Sequence, residues 1–224
     1  MDRVLTSLGI VNKPRIQPIR VDETEINKEN MKIIVMAVAY ERPIPMRILA
    51  DCFLVQTAPN WELTFIHDGN ASDDVWKTVS LYNDPRIHFQ ESPERYGIYG
   101  HPNRKRFLSS IEPSTEDFVL LTNDDNMIVP VFVEELLRRR THDTGMIYWD
   151  TVHSHFKYNV LKSVVKVDRI DIGSFIVRTD IAKEVGFNNF AFNGDGYYAE
   201  ECARACQSKG LKVDYIPKPI SVHN

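Results

Sequence analysis

From Met31 onward the apolar positions fall in short blocks whose period keeps changing. "MKIIVMAVAY" is an unbroken apolar run, the pattern of a strand buried on both faces. "PIPMRILADCFLVQT" spaces its apolar residues as a helix does. "WELTFIHDG" predicts a second strand ending in a turn, and "SDDVWKTVSLY" a helix with Asp73 and Asp74 in its first turn, where they complement the helix dipole. "PRIHFQ" reads as a short strand, and a helix is expected from about Asn103 to Ile111. "EDFVLLTNDD" is a strongly apolar strand that runs into acids. Pro130 is placed to open the next helix, which the i,i+4 pairs Glu134–Arg138 and Glu135–Arg139 support.

The second half is less regular. "TGMIYWDTV" and "VVKVDRIDIGSFIVRTD" read as strands. "IAKEVGF" reads as a short helix closed by Gly186, and "GYYAEECARACQSKG" as a longer one closed by Gly210. "LKVDYIP" is the last expected strand. The alternation over residues 31–140 predicts an α/β domain, a mostly parallel sheet with helices on both faces. Ligands bind such sheets beyond the carboxyl ends of the strands. That rule selects Tyr40–Arg42, His67–Asn70 and Asn123–Asn126, each polar and directly after an apolar strand.

Residues 1–30 differ. They are rich in charge and lack a sustained period, so an arm or poorly ordered leader is expected there, followed by one domain over 31–224. A chain of 224 residues suits one such domain. The net charge of −4 gives no broad basic field, so nucleic acid is not an expected partner. Three scattered cysteines, Cys52, Cys202 and Cys206, make neither a disulfide framework nor a zinc site and read as reduced thiols of a cytoplasmic protein. No apolar stretch reaches the ~18 residues of a membrane span, although loose membrane association stays open.

Candidate chemistry follows the strand tips. In "LLTNDDNMIVP", Asn123, Asp124 and Asp125 suit a hard cation such as Mg²⁺ or Mn²⁺; the plain alternative is an Asx-rich turn capping a helix. In "FIHDGNASDD", Asp68 can accept from a base or ribose, or simply make a turn. In "AVAYERP", Tyr40 can stack on a base and Arg42 can meet a phosphate. In "YGIYGHPNRKRF", two glycines permit a tight loop that would let His101, Arg104 and Lys105 face a diphosphate; the plain alternative is a solvated basic helix start. In "FNGDGYYAEECA", Asp195 lies between glycines beside aromatics and is a candidate general base, with Glu200 and Glu201 on the following helix. The terminal "PISVHN" offers His223 as a metal ligand. Trp149, His153, Tyr197 and Tyr198 are candidates for an acceptor site by proximity in sequence.

The order of these segments resembles the family-2 glycosyltransferases. The resemblance covers residues 31–224 through "VAYERP", "IHDGNASD", "GHPNRKRFL", "LLTNDDN", "DIGSFIVRTDIAKEVGF" and "GDGYYAEE…VHN". It implies a GT-A fold: a Rossmann-like nucleotide-binding half over 31–126 and an acceptor-side half over 127–224 with a smaller mixed sheet. It implies base contacts at Ala39, Tyr40, Glu41, Arg42 and Asp68, a base or phosphate contact at Arg104, and metal at Asp124 or Asp125. Asn123 and Asp124 fall in the ribose-and-metal motif, whose first Asp position is Thr122 here. It further implies an inverting, direct displacement with Asp195 as base and Glu200 as its rival, and His223 completing the metal shell. The implied donor is a nucleotide diphosphate sugar, a UDP-sugar first, moved to an acceptor hydroxyl in polysaccharide or glycan assembly by a hexosyltransferase-type enzyme. Two alternatives remain: a non-catalytic carbohydrate or nucleotide-binding module, which Thr122 favours, and a sugar-phosphate nucleotidyltransferase, which lacks its Gly-rich loop here. The oligomeric state is not legible.

Overall fold

The computed structural model describes residues 31–224; the expected leader over 1–30 lies outside the described residues. Strands β1 (Ile33–Ala39), β2 (Trp61–His67), β3 (Ile87–Glu91) and β4 (Phe118–Asn123) form the parallel half of one sheet, with α1 (Pro43–Leu54), α2 (Asp73–Val79) and α3 (His101–Ser110) in the crossovers. The chain continues through β5 (Met127–Ile128), α4 (Phe132–Arg139), β6 (Thr144–His153), β7 (Asn159–Leu161), β8 (Phe175–Arg178), α5 (Thr179–Val185), α6 (Gly194–Ser208) and β9 (Lys212–His223). The strand order is β3-β2-β1-β4-β8-β6-β9-β5, with β7 paired to β6, so nine strands make a single mixed sheet. The later strands extend the parallel half: β8 joins β4 antiparallel, while β6 and β9 run parallel to each other.

The apolar run of β1 is continuous because each face of the sheet has its own core. Ile33, Val35, Ala37 and Ala39 pack with Met46, Leu49 and Phe53 of α1 and with Phe132 and Leu136 of α4. Met36 and Val38 point the other way, into a core with Leu108 of α3, Ile181 of α5 and Tyr198, Cys202 and Cys206 of α6. β4 divides likewise, Phe118 and Leu120 against Val119 and Leu121. Truncating one such side chain, Phe53→Ala for example, costs about 3–5 kcal/mol.

Several elements differ from the periodicity. The helix expected from Asn103 begins at His101, with Pro102 in its first turn, where a missing N–H costs nothing. Of "VVKVDRIDIGSFIVRTD" only Phe175–Arg178 is strand, and residues 172–174 form a 3-10 turn. α6 begins at Gly194, so Asp195 lies in its first turn. Pro130 stands before α4 and does not open it. β9 runs on past Pro217 to His223. Register shifts opposite Trp149, Asp150 and Thr151 absorb the extra residues, and two prolines in the strand are tolerated at these irregularities. Trp149 and Tyr198 are core residues, not acceptor contacts. The three cysteines are free.

Candidate functional site

The strand tips selected from sequence converge. β1 aligns with β2 and β4 in parallel, so Ala39, His67 and Asn123 end at one edge of the sheet. Two adjoining cavities of about 370 and about 380 Å³ open there and share Tyr99, Asn123 and His223. The cavity of about 380 Å³ takes in Ala39, Tyr40, Arg42, Asp68, Arg95 and Asp125. The other takes in His101, Arg104, His153, Asp171, Phe192 and Asp195.

On the β1/β4 side, the Arg42 guanidinium pairs with both Asp124 and Asp125. Asp124 is fully buried and its amide bonds to the Val38 carbonyl at 3.0 Å. Burial pushes its carboxyl up to about 7 even with Arg42 beside it. Asp124 Oδ2 and Asp125 Oδ1 are buried without a hydrogen-bond partner. Glu41, with φ of 50°, holds a left-handed backbone, which is uncommon and costly for a residue with a Cβ. A fully buried residue, His67, supports it. Its Nε2 accepts the Glu41 amide at 3.1 Å and its Nδ1 donates to Gly69 O at 2.8 Å, which assigns a neutral ring protonated at Nδ1. The guanidinium of Arg95 covers the Tyr40 ring at 3.9 Å. Glu41 itself accepts the Ser72 amide at 3.1 Å and does not line either cavity.

Asp68 and Arg104 build the loop between these halves. Asp68 accepts the amides of Tyr96 at 3.0 Å and Gly97 at 2.8 Å and the Asn103 amide group at 2.8 Å. Arg104 is buried, donating to Tyr99 O at 2.6 Å, His101 Nδ1 at 2.9 Å and Asn123 Oδ1 at 2.5 Å. Burial lowers its guanidinium to about 10, still charged at neutral pH, and the fields of Asp195 and Asp171 support that charge. His101 is pushed down to about 4 by burial and by Arg104, so the ring is neutral. With Nδ1 accepting from Arg104, its Nε2 donates to Ala191 O at 3.0 Å. The clamp holds Ile98 and Tyr99 at φ of 48° and 56° and Gly100 at 74°, where a Cβ would come within 2.5 Å of Val38.

On the opposite side, Asp195 lines the cavity from the first turn of α6. Burial, then repulsion from Asp171, pushes its carboxyl up to about 6, although the Gly196 amide donates to Oδ1 at 2.8 Å. Asp171 caps the 3-10 turn: Oδ1 accepts the Gly173 amide at 2.8 Å, and Oδ2 lies 3.3 Å from His223 Nδ1. Burial opposes ionisation of Asp171, yet the adjacent His223 ring and the Gly173 amide hold it below the usual range. For His223, burial acts downward, but Asp171 and the nearby Asp125 and Asp195 carry it above its usual value. Burial and His223 lower His153. Gly173 permits the close approach of this turn to β4, because a Cβ there would meet Asn126 Nδ2 at 2.5 Å.

The sequence-selected residues thus divide. Ala39, Tyr40, Arg42, Asp68, His101, Arg104, Asn123, Asp125, Asp195 and His223 line the cavities, with Asp124 beneath them. Glu200 does not; its Oε1 accepts the Val167 amide at 2.9 Å and supports the preceding loop. Lys105 is exposed on the outer face of α3. His153 is the one acceptor-site candidate that reaches the cavity. His67 falls within the strand tip that the sequence selects, but its support of the Glu41 backbone is not legible there, and Arg95 and Asp171 are not among the sequence candidates. A histidine closing a strand before Asp-Gly was a signal for the first; nothing in the spacing marked the other two.

No family model and no curated protein matches the chain. Solved structures do. S. aureus TarS 1-349 superposes with a TM-score of 0.66 at 16% identity over 87% of this chain and 60% of that one. Its complex with UDP-GlcNAc gives 0.68 at 15%, over 86% and 58%. The mannosyltransferase PcManGT from Pyrobaculum calidifontis, in complex with GDP-Man and Mn²⁺, gives 0.62 at 14%, over 86% and 56%. The chain therefore has the α/β fold of these glycosyltransferases and spans about three-fifths of their length. Among the described residues no helix is long and apolar enough to cross a membrane.

Proposed function

We propose that the chain is a nucleotide-sugar-dependent glycosyltransferase that moves a sugar to an acceptor hydroxyl with inversion. The observation that carries this reading is Asp195. It is a half-buried carboxyl whose pKa is raised to about 6, across the cleft from the strand tips where nucleotides bind sheets of this type.

In this reading Ala39, Tyr40 and Asp68 enclose the base, with a UDP-sugar the first donor to test. Arg104 fixes the 97–100 loop and puts a buried positive charge beside Asn123, where a diphosphate is favoured. The acceptor oxygen attacks the anomeric carbon, the bond to the diphosphate oxygen breaks, and the acceptor proton passes to Asp195. Oxygen donors fit a divalent cation at Asp124 and Asp125, because each acid has one buried oxygen without a partner; His223 lines the same cleft. A cation bound there would neutralise charge on the departing diphosphate. Arg42 occupies both carboxylates, so it must yield to the ion and is then within reach of a phosphate. Polysaccharide or glycan assembly by a cytoplasmic enzyme is the setting this implies.

The test is incubation with UDP- and GDP-sugars and simple glycoside acceptors, following nucleoside diphosphate release and the anomeric configuration of the product. Nucleoside diphosphate with an inverted glycoside supports the proposal. Pyrophosphate would indicate a nucleotidyltransferase. Affinity without turnover would indicate a binding module, the reading that Thr122 and the Arg42 pairing favour.

A further inference from the structure

A second group of donors lies in the cleft, apart from the acid pair. His153 ends β6 and His223 ends β9, and the parallel pairing makes them register partners. Their rings therefore leave the same face of the sheet and stack, with centroids 4.1 Å apart and planes at 28°. The bulges in β9 create this register; without them a different residue would stand beside His153. Asp171 arrives from a third element. Its Oδ1 is committed to the Gly173 amide, which aims Oδ2 at His223 Nδ1. One donor atom from each of the three residues lies within 4.8 Å of the others. His223 Nδ1 is buried without a well-formed hydrogen bond.

We infer that His153, Asp171 and His223 form a transition-metal site of their own. Two imidazoles and one carboxylate suit a divalent first-row metal and leave open positions toward the cleft. Ligands around one such ion stand on the order of 3 Å apart, given metal–nitrogen distances of about 2 Å, so modest side-chain rotation closes the set. The nitrogen donors select Zn²⁺, Co²⁺ or Mn²⁺ over Mg²⁺, which takes oxygen. His223 then belongs with His153 and Asp171, while Asp124 and Asp125, paired with Arg42, remain for a cation that arrives with a diphosphate. The site holds its ion without nucleotide, so the inference stands independently of the transfer reading.

The experiment uses the full chain, stripped with chelator and titrated with Co²⁺ alone. Visible absorption counts the bound ion, and paramagnetically shifted ring N–H signals in NMR count the histidine ligands. One equivalent and two shifted imidazoles are expected, displaced by Zn²⁺ and not by equal Mg²⁺. His153→Ala, His153→Gln and Asp171→Asn should each weaken cobalt binding by at least about tenfold, and Asp125→Asn should leave it unchanged, with circular dichroism checking that each variant is folded. Absence of cobalt uptake by the folded wild-type chain would overturn the inference. So would uptake that survives both His153 variants and disappears in Asp125→Asn.

Discussion

The two walls of the cleft neutralise their charges in different ways. On the β1/β4 wall, Asp124 and Asp125 share one arginine, and the wall is closed on itself. On the opposite wall, Asp171 has His223 beside it, while Asp195 has no side-chain cation bonded to it among the described residues and its carboxyl is raised to about 6. Burial raises both Asp124, to about 7, and Asp195, to about 6; the difference is that a guanidinium occupies Asp124, whereas the Asp195 carboxyl faces the cleft with no cation bonded to it and is free to accept a proton there. In the proposed reaction the first wall binds and the second takes the proton.

Asp195→Asn breaks the second wall most severely. Loss of general-base help should lower kcat by about 10²–10⁴, with nucleotide affinity retained; steady-state kinetics beside a binding titration reads both. Near-normal turnover would remove Asp195 from the mechanism. Removing the acids of the first wall, Asp124→Ala with Asp125→Ala, should do the reverse and abolish metal-dependent nucleotide binding, read by titration with Mg²⁺ or Mn²⁺.

The pH profile sharpens the assignment. The base must be ionised, and Asp195 ionises near pH 6. The logarithm of kcat/KM should rise with unit slope below about pH 6 and level above it. A profile flat down to pH 5 would point to a different base. Gly173→Ala addresses how the second wall is held. A methyl pressed against Asn126 should cost about 1–3 kcal/mol, measured by urea unfolding.

A further comparison lies within the first wall, at Asp124. Its carboxyl is raised from 3.8 in the unfolded chain to about 7 in the folded one, so the stability it contributes is full below pH 3.8 and is lost as pH rises through 7. Asparagine imitates the protonated form. The stability of Asp124→Asn relative to wild type should therefore increase between pH 4 and pH 7, measured by thermal unfolding at each pH. A relative loss over that window would mean that pairing with Arg42 outweighs burial.

The first wall was more legible than the second. β1, β2 and β4 are continuous apolar runs buried on both faces, and their polar ends are where a parallel sheet must place its ligands. Arg42, Asp68 and Asp124 follow directly from that. The second wall is assembled from a 3-10 turn, the first turn of a helix and the end of a bulged strand. Local periodicity does not report Asp171, whose position depends on Gly173 closing against Asn126. It does not report the pairing of His153 with His223, which depends on bulges opposite Trp149, Asp150 and Thr151. Periodicity does not report the role of His67, which holds the Glu41 backbone in the turn after β1, a contact between segments distant in sequence.

The most direct test of the central claim is calorimetric titration of the purified chain with UDP, GDP and their sugars, with and without Mn²⁺. Binding of one nucleoside diphosphate that strengthens with the metal and is lost in Arg104→Ala is the predicted result. A folded sample that binds none of them would contradict the account, because the cleft would then be no donor site.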